Sequence, residues 1–233
     1  MRFRDRLLET LRGVQPVLEV PGVLVGGSQV PNLLEPGAAS TLVVSQDVDL
    51  VVPVARHAEV KAALERTKGF VPSPEEPSVF LPRERELLEV NFIGRDATVP
   101  ESAASYLLED DRLPLLVFGL LALLREGAWL RVGDLTARLP RPAGLLLEKL
   151  LSERSGLKGE RDLLVALGVL LVATEEDLRE ALELFSGLHA EHRATVVHNL
   201  TVLSLLPPMP GMPDPTAGRA RVAALLRRLE APE

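Results

Sequence analysis

The pattern of apolar residues changes once along the 233-residue chain, near residue 100. Before that point, short β-branched runs suited to strands alternate with segments of helical periodicity. From Tyr106 onward the sequence is rich in leucine and has mainly helical spacing. Alternating strands and helices are typical of an α/β or α+β fold, and a following run of helices forms a layer of its own. We therefore expect an α/β domain over residues 1–140 and a helical domain over residues 141–233.

The apolar spacing, together with the Gly and Pro residues that interrupt it, sets the predicted elements. In the first part we expect helices over 3–12, 29–35 and 56–67, and strands over 23–25, 41–44, 48–52, 78–81 and 87–93. In the second part we expect helices over 142–153, 160–172, 175–188, 190–206 and 218–230, with a proline-rich linker at 207–215. Residues 113–126 fit either a helix or a buried strand. Residues 129–139 fit a hairpin turning at Gly133 and Asp134, with Trp129 in the core.

Charge and composition argue against several classes of function. The chain has 26 Lys and Arg against 33 Asp and Glu, a net charge of -7, which disfavours an extended nucleic-acid interface but allows a local basic patch. It contains no Cys, which excludes disulfides, thiolate metal sites and a cysteine nucleophile. The longest apolar run, residues 113–124, is interrupted by Pro114 and Gly119 and is shorter than the ~20 residues of a membrane helix. We expect a cytoplasmic protein without a membrane partner.

Two short motifs carry groups suited to binding phosphate and metal. Gly26, Gly27 and Ser28 follow the predicted strand over 23–25, and such a turn lets backbone amides and a hydroxyl approach a phosphate. Asp47 and Asp49 lie two residues apart on a predicted strand, so both carboxylates point to the same face. Such a pair can hold divalent cations, and Mg²⁺ takes oxygen ligands of this kind. Taken singly, each motif also fits a structural turn or a solvated strand edge.

Together the two motifs resemble the signature of the nucleotidyltransferase superfamily of the DNA polymerase beta type. That group includes minimal nucleotidyltransferases, aminoglycoside nucleotidyltransferases and abortive-infection toxins, and over residues 20–172 the chain is similar to a bacterial subgroup of uncharacterised members. The resemblance implies a short mixed sheet with flanking helices, and transfer of a nucleoside monophosphate from an NTP to an acceptor hydroxyl. It implies that Asp47 and Asp49 hold Mg²⁺ or Mn²⁺, and that the phosphates bind at Gly26, Gly27 and Ser28.

The superfamily pattern has a third carboxylate on a later strand, and the chain departs from it there. The corresponding residue on the predicted strand 87–93 is Asn91, a weaker metal ligand than Asp, while Glu89 lies on the same face. The resemblance therefore implies that Glu89 or Asn91 completes the catalytic group. Two alternatives stay open. One is a catalytically impaired nucleotidyltransferase fold that binds nucleotide or a partner protein. The other is an abortive-infection-type toxin that modifies RNA or protein, although the acidic net charge weighs against RNA.

Two lysines stand where the bacterial subgroup has them. The resemblance implies that Lys149 and Lys158 offset the charge of a bound triphosphate. Lys158 also precedes Asp162 by four residues on a predicted helix, a spacing that equally favours a surface ion pair. His189 and His192 have helical spacing that could hold a metal, but the sequence offers no evident third ligand, and a solvated helix face is the favoured interpretation.

Overall fold

The computed structural model of the protein describes residues 3–27, 30, 33, 47–152, 156–208 and 214–230, with only the backbone described at 156–158. Ser28, the strand predicted over 41–44 and the helix predicted over 29–35, apart from Val30 and Leu33, lie outside the described residues. The described chain forms a mixed α/β fold with a helical region at its C-terminal end. The predicted fold class is therefore confirmed.

Seven strands of the described chain form one mixed sheet. In chain order they are β1 (Leu24–Val25), β2 (Asp47–Pro53), β3 (Phe70–Pro72), β4 (Val79–Pro82), β5 (Glu89–Arg95), β6 (Tyr106–Leu108) and β7 (Leu115–Val117). The two longest, β2 and β5, run parallel at the centre, and β1 pairs antiparallel with β2. On the other side of β5, β4 and β3 pair antiparallel in turn, while β7 pairs parallel with β5 and carries β6.

Helices flank the sheet and make up the C-terminal region. They are α1 (Phe3–Gly13), α2 (Gln15–Leu18), α3 (His57–Leu64), α4 (Pro142–Leu151), α5 (Gly156–Val172), α6 (Glu175–Gly187), α7 (Ala190–Leu205) and α8 (Arg219–Glu230). The predicted hairpin, β8 (Glu126–Val132) and β9 (Leu135–Pro140), precedes α4 and turns at Gly133, whose φ is +64°. Thr174 and Asp177 form a capping box that begins α6. Among the described helices, none has both the length and the apolar character of a membrane span.

Two hydrophobic clusters lie on opposite faces of the sheet. One contains Val48, Leu50 and Val52 of β2 together with residues of α1, α2 and the hairpin. The other contains Val51 of β2 and most of the apolar residues of α4 to α8, with Ile93 of β5 packed against it. Because neighbouring residues of a strand point to opposite faces, the helical region packs on the Val51 face. Val51 of the sheet therefore packs in the same cluster as the helices. The division into two domains at residue 140 stays a prediction.

The leucine-rich segment that begins at Tyr106 is not helical at its start, contrary to the sequence prediction. It forms β6 and β7, which pair with each other so that Tyr106 lies opposite Val117. Pro114 has no N–H to donate within a helix, and Gly119 packs so tightly on the backbone of Ala103 that a Cβ would collide there. These two residues explain why the segment folds as a strand followed by a short 3₁₀ helix, Gly119–Leu123.

Trp129 lies on the surface of the hairpin rather than in the core, so that prediction is wrong. Its side chain is 47% exposed, and the Arg138 guanidinium lies 4.2 Å from the centre of its ring. Arg138 is in turn 3.2 Å from the Glu126 carboxylate. A cation stacked on the indole face stabilises a partly exposed tryptophan, which accounts for its position.

Candidate active site

The register of β2 and β5 sets the predicted site residues side by side. The pairs, in order along the two strands, are Asp47 with Glu89, Asp49 with Asn91 and Val51 with Ile93. Since alternate residues of a strand share a face, all of these side chains stand on one face of the sheet. We call this face the site face. Along the strands it carries first the two carboxylates of Asp47 and Glu89, then the carboxylate of Asp49 beside the amide of Asn91, and then the apolar pair of Val51 and Ile93.

The glycine bend after β1 lies directly against the second aspartate. The Gly26 N–H donates to the Asp49 carbonyl oxygen at 2.8 Å, and a Cβ on Gly26 would approach a Val51 methyl group to 2.7 Å. Gly27 has a φ of +68°, in the left-handed region that favours glycine, and a Cβ there would collide with the Asp49 carboxylate. The contact with the aspartate therefore requires glycine. Ser28, the third residue of the motif, lies outside the described residues.

Asn91 faces both aspartates. Its side-chain nitrogen donates to Asp47 Oδ2 at 3.0 Å and to Asp49 Oδ1 at 3.4 Å. Burial raises the pKa of Asp49 above its ordinary value, and the charge of Asp47 raises it further, whereas Lys149 and the Asn91 amide act in the opposite direction. The pair is thus a partly buried concentration of negative charge, which an added cation would stabilise.

A buried lysine from the helical region completes the charged part of the site. Lys149 of α4 is 7% exposed, and its Nζ lies 3.2 Å from Glu148 Oε2 and 3.7 Å from Asp162 Oδ1. Burial alone lowers the pKa of Lys149, but the charges of Glu148, Asp162 and Asp49 outweigh it and raise the pKa. Lys149 is therefore held as a cation. Asp162 is 9% exposed, so the predicted surface ion pair is wrong for this residue, and the Lys158 side chain lies outside the described atoms.

One cavity of about 1160 Å³ joins these groups. Its polar lining comes mainly from the site face, from the loop between β3 and β4 and from the C-terminal end of α4, and includes Gly27, Asp47, Asp49, Glu89, Asn91, Ser73, Glu75, Glu76, Ser78, Ser105, Glu148, Lys149 and Ser152. Its apolar lining includes Val51, Ile93, Leu116, Phe118, Leu120, Leu121 and Leu124. Small-molecule pockets commonly have volumes of about 300–1,000 Å³, so this cavity is large enough for a small-molecule ligand.

The aspartate pair offers the oxygen ligands that Mg²⁺ and Mn²⁺ take, and the Asn91 amide could add a third oxygen if it rotated. Glu89 is exposed and lines the same cavity, so both candidates for the third ligand stand near the pair. No group of three or more His, Asp or Glu side chains in the described ranges is arranged to hold a metal ion. His189 and His192 have ring centres 6.5 Å apart.

The sequence prediction did not include several parts of the cavity. Glu148 was not singled out, although a charged pair in the run LLLEKLL is itself a signal, because a buried helix tolerates charge only where it is paired. The β3–β4 loop with Glu75 and Glu76 gave no signal of its own, since an acidic run usually marks a solvated surface. The apolar wall near Phe118 depends on strand pairing that local spacing does not show.

The comparisons with known proteins give a distant likeness in structure. Neither a model of a known protein family nor a curated protein matches the chain. Among solved structures, the chain is similar to the antibiotic-resistance factor ANT(2'')-Ia, an aminoglycoside nucleotidyltransferase, whose solution structure is described as showing substrate-regulated conformation dynamics. The likeness covers 85% of this chain and 98% of the other, at 12% identity and a TM-score of 0.43. A likeness this distant carries no argument about substrate or mechanism.

Proposed function

We propose that the protein is a nucleotidyltransferase that transfers a nucleoside monophosphate from an NTP to an acceptor hydroxyl and depends on Mg²⁺ or Mn²⁺. The contact between the Gly27 bend and the Asp49 carboxylate is the observation that carries the proposal. A phosphate bound at the backbone of the bend would lie beside the two aspartates, so the groups suited to phosphate and to a divalent cation share one end of the cavity.

Each residue of the cavity then has a role in this reaction. Asp47 and Asp49 would hold a divalent cation, which would supply charge neutralisation for the phosphates during the transfer. The backbone at Gly27, with Ser28 next in sequence, would bind the phosphates, while the Gly26 N–H holds the bend against the Asp49 carbonyl oxygen. Lys149, paired with Glu148 and Asp162, offsets part of the negative charge of Asp49 at the aspartate end of the cavity. Catalysis comes from positioning and charge neutralisation, because the acceptor oxygen attacks the α-phosphorus directly and pyrophosphate leaves.

The acceptor hydroxyl must lose its proton during the transfer. Glu89 is the carboxylate we assign to take it, since it is exposed beside Asp47 in the register and lines the cavity. We include a cytoplasmic location in the proposal, because the NTP donor is supplied there.

A second candidate function is nucleotide binding without transfer. It is favoured by Asn91, a neutral amide at the position of the expected third carboxylate, whose nitrogen is directed to both aspartates. In this case the cavity would bind a metal-bound nucleotide, and Glu89 would take no part in chemistry.

An experiment that follows label and pyrophosphate separates the two functions. The purified protein is incubated with each of the four NTPs, labelled at the α-phosphate, with Mg²⁺ or Mn²⁺ and a cell extract as the source of acceptors. Transfer predicts a labelled product and released pyrophosphate, both lost in the Asp47→Ala/Asp49→Ala variant. Nucleotide binding with no product above that variant in any combination would reject transfer and leave the binding function.

A further inference from the structure

Asn91 joins the two aspartates of the site through a single amide group. Its side-chain nitrogen donates to Asp47 Oδ2 at 3.0 Å and to Asp49 Oδ1 at 3.4 Å, so the two carboxylates of β2 converge on one atom of β5. An ionised carboxylate only accepts hydrogen bonds, which favours the amide nitrogen over the amide oxygen on this side. The carboxylates are therefore held together by a neutral donor.

The described side chains around this point supply two converging carboxylates and not three. Glu89 pairs with Asp47 in the strand register, but its side chain is exposed. No three His, Asp or Glu side chains within the described part of the chain are arranged around a common metal position. Glu148 also lines the cavity, but its carboxylate lies 3.2 Å from Lys149 Nζ, which compensates its charge.

Two carboxylates balance the charge of one divalent cation, and a second cation would need further negative charge from the protein. Cations that share a site lie about 3.5–4 Å apart and repel each other strongly. The Asn91 amide has no net charge to offset this repulsion, and its N–H groups repel a cation. Lys149 lowers the pKa of Asp49 more than Glu148 raises it, so the neighbouring ion pair also favours one cation over two.

We propose that the site takes a single divalent cation, between Asp47 and Asp49, and that Asn91 sets this number. In the metal-free protein the amide holds the two carboxylates together, and it gives up both hydrogen bonds when the carboxylates turn to an ion. The inference rests on the proposed function only for the nucleotide that shares the cation. The number of cations follows from the side chains of β2 and β5.

Counting bound Mn²⁺ tests this number without any turnover. Protein freed of metal by a chelator is titrated with Mn²⁺, first alone and then with the α,β-methylene analogue of each NTP, which cannot transfer its nucleotide. Electron paramagnetic resonance measures the free ion. We expect one Mn²⁺ per chain that is lost in Asp47→Ala/Asp49→Ala and kept in Glu89→Gln, with no second ion when an analogue is added. Two ions that are both lost in the double variant, no such ion in either titration, or loss of the ion in Glu89→Gln would overturn the proposal.

The variant Asn91→Asp tests the part played by the amide. Its added carboxylate should tighten Mn²⁺ binding roughly tenfold or more and admit a second ion with an analogue, because affinity follows the number of charged ligands. In metal-free buffer the variant should melt below the natural chain, since three carboxylates then repel one another, and Mn²⁺ should raise its melting temperature more. Asn199→Asp, the same change on α7 outside the cavity lining, should leave Mn²⁺ binding unchanged. Equal Mn²⁺ binding in Asn91→Asp and the natural chain would reject the role of Asn91, and the count in the natural chain needs no variant to fold.

The failure of this inference can be told apart from the failure of the proposed function. One Mn²⁺ at the aspartates with no binding of any analogue would leave the single cation standing and reject the nucleotide site. An analogue bound together with two Mn²⁺ would support the nucleotide site and reject the single cation.

Discussion

The two faces of the central strands β2 and β5 carry different kinds of side chain. On β2, Val48, Leu50 and Val52 point into one hydrophobic cluster and are fully buried, whereas Asp47 and Asp49 stand on the opposite face in the cavity. Because neighbouring residues of a strand point to opposite faces, the aspartates line the cavity while the apolar residues between them pack in the core on the other side of the sheet. The site face should therefore tolerate substitutions that the core face does not.

The ion pairs near the site are buried, whereas other ion pairs of the molecule lie on its surface. Among the described side chains, the charged residues that are nearly buried are Glu148, Lys149 and Asp162, and Lys149 lies within 4 Å of both carboxylates. A buried charge is tolerated when an opposite charge compensates it, and it becomes strongly unfavourable when that partner is removed. Ion pairs on the surface, such as Arg56 with Glu59, contribute little by comparison.

The largest expected effect on stability comes from the core face. Phe92 is 1% exposed and packs edge to face on Phe80 with ring centres 5.1 Å apart, so Phe92→Ala should lower the free energy of unfolding by about 3–5 kcal/mol. Glu89→Ala, on the opposite face of the same strand, should change it by less than about 0.5 kcal/mol. Urea unfolding measures both, and equal losses would contradict the division between the faces.

Removing the buried cation should have the next largest effect. Lys149→Met removes the buried cation that contacts both Glu148 and Asp162, at a cost of about 3 kcal/mol at neutral pH. Lys61→Met, which breaks the more exposed pair with Asp110, should cost about 1 kcal/mol or less. Urea unfolding at pH 7 measures both variants, and equal losses would contradict the difference between a buried and a more exposed ion pair.

A comparison of Gly69 with Gly27 separates the cost of a left-handed backbone from the cost of a collision with the Asp49 carboxylate. Gly69 and Gly27 both have left-handed φ, +88° and +68°, but a Cβ on Gly69 would meet nothing within 4 Å, whereas one on Gly27 would collide with Asp49. Gly69→Ala should therefore cost only the roughly 1–2 kcal/mol of the left-handed conformation. Gly27→Ala should cost more than this and should also weaken nucleotide binding. Identical stability and binding in the two variants would show that the bend is not pressed against the aspartate.

The smallest expected effect is a gain in stability. Because the pKa of Asp49 is raised in the folded protein, ionising Asp49 destabilises the fold, and the loss grows as pH rises through that raised pKa. Asp49→Asn removes the charge with little change of shape, so in metal-free buffer at pH 7 its melting temperature should exceed that of the natural chain by a few degrees. The gap should close as pH falls toward 3.8, the ordinary pKa of Asp. A lower melting temperature at pH 7 would contradict the direction of the shift.

Local pattern was sufficient for much of the fold and for half of the site. The alternation of Leu88, Val90 and Phe92 predicted which face of β5 is buried, and it placed Glu89 and Asn91 together on the other face. The glycine pair and the Asp-x-Asp spacing predicted two groups that the structure brings into contact. These features depend on strand geometry and on residues close in sequence, which a single sequence displays directly.

The remaining part of the site depends on contacts between residues far apart in the chain. Lys149 was expected to face a phosphate, but its ion pair with Asp162 needs the packing of α4 against α5. The apolar wall at Leu116 needs the pairing of β7 with β5, and a run with a proline and a glycine fits a helix or a strand equally well by local pattern alone. Trp129 is an apolar residue whose exposed position is fixed by Arg138, across the hairpin.

The central claim is that the two aspartates and the glycine bend form one site for a metal-bound nucleotide. Calorimetric titration with each NTP in Mg²⁺ buffer compares the natural chain with Asp47→Ala/Asp49→Ala and with Asp111→Ala, a control at an exposed carboxylate away from the cavity. We predict saturable, Mg²⁺-dependent binding of at least one NTP that is retained in the control and lost in the double variant, with circular dichroism unchanged in both. Unchanged affinity in the folded double variant, or no Mg²⁺-dependent binding of any NTP to the natural chain, would contradict the claim.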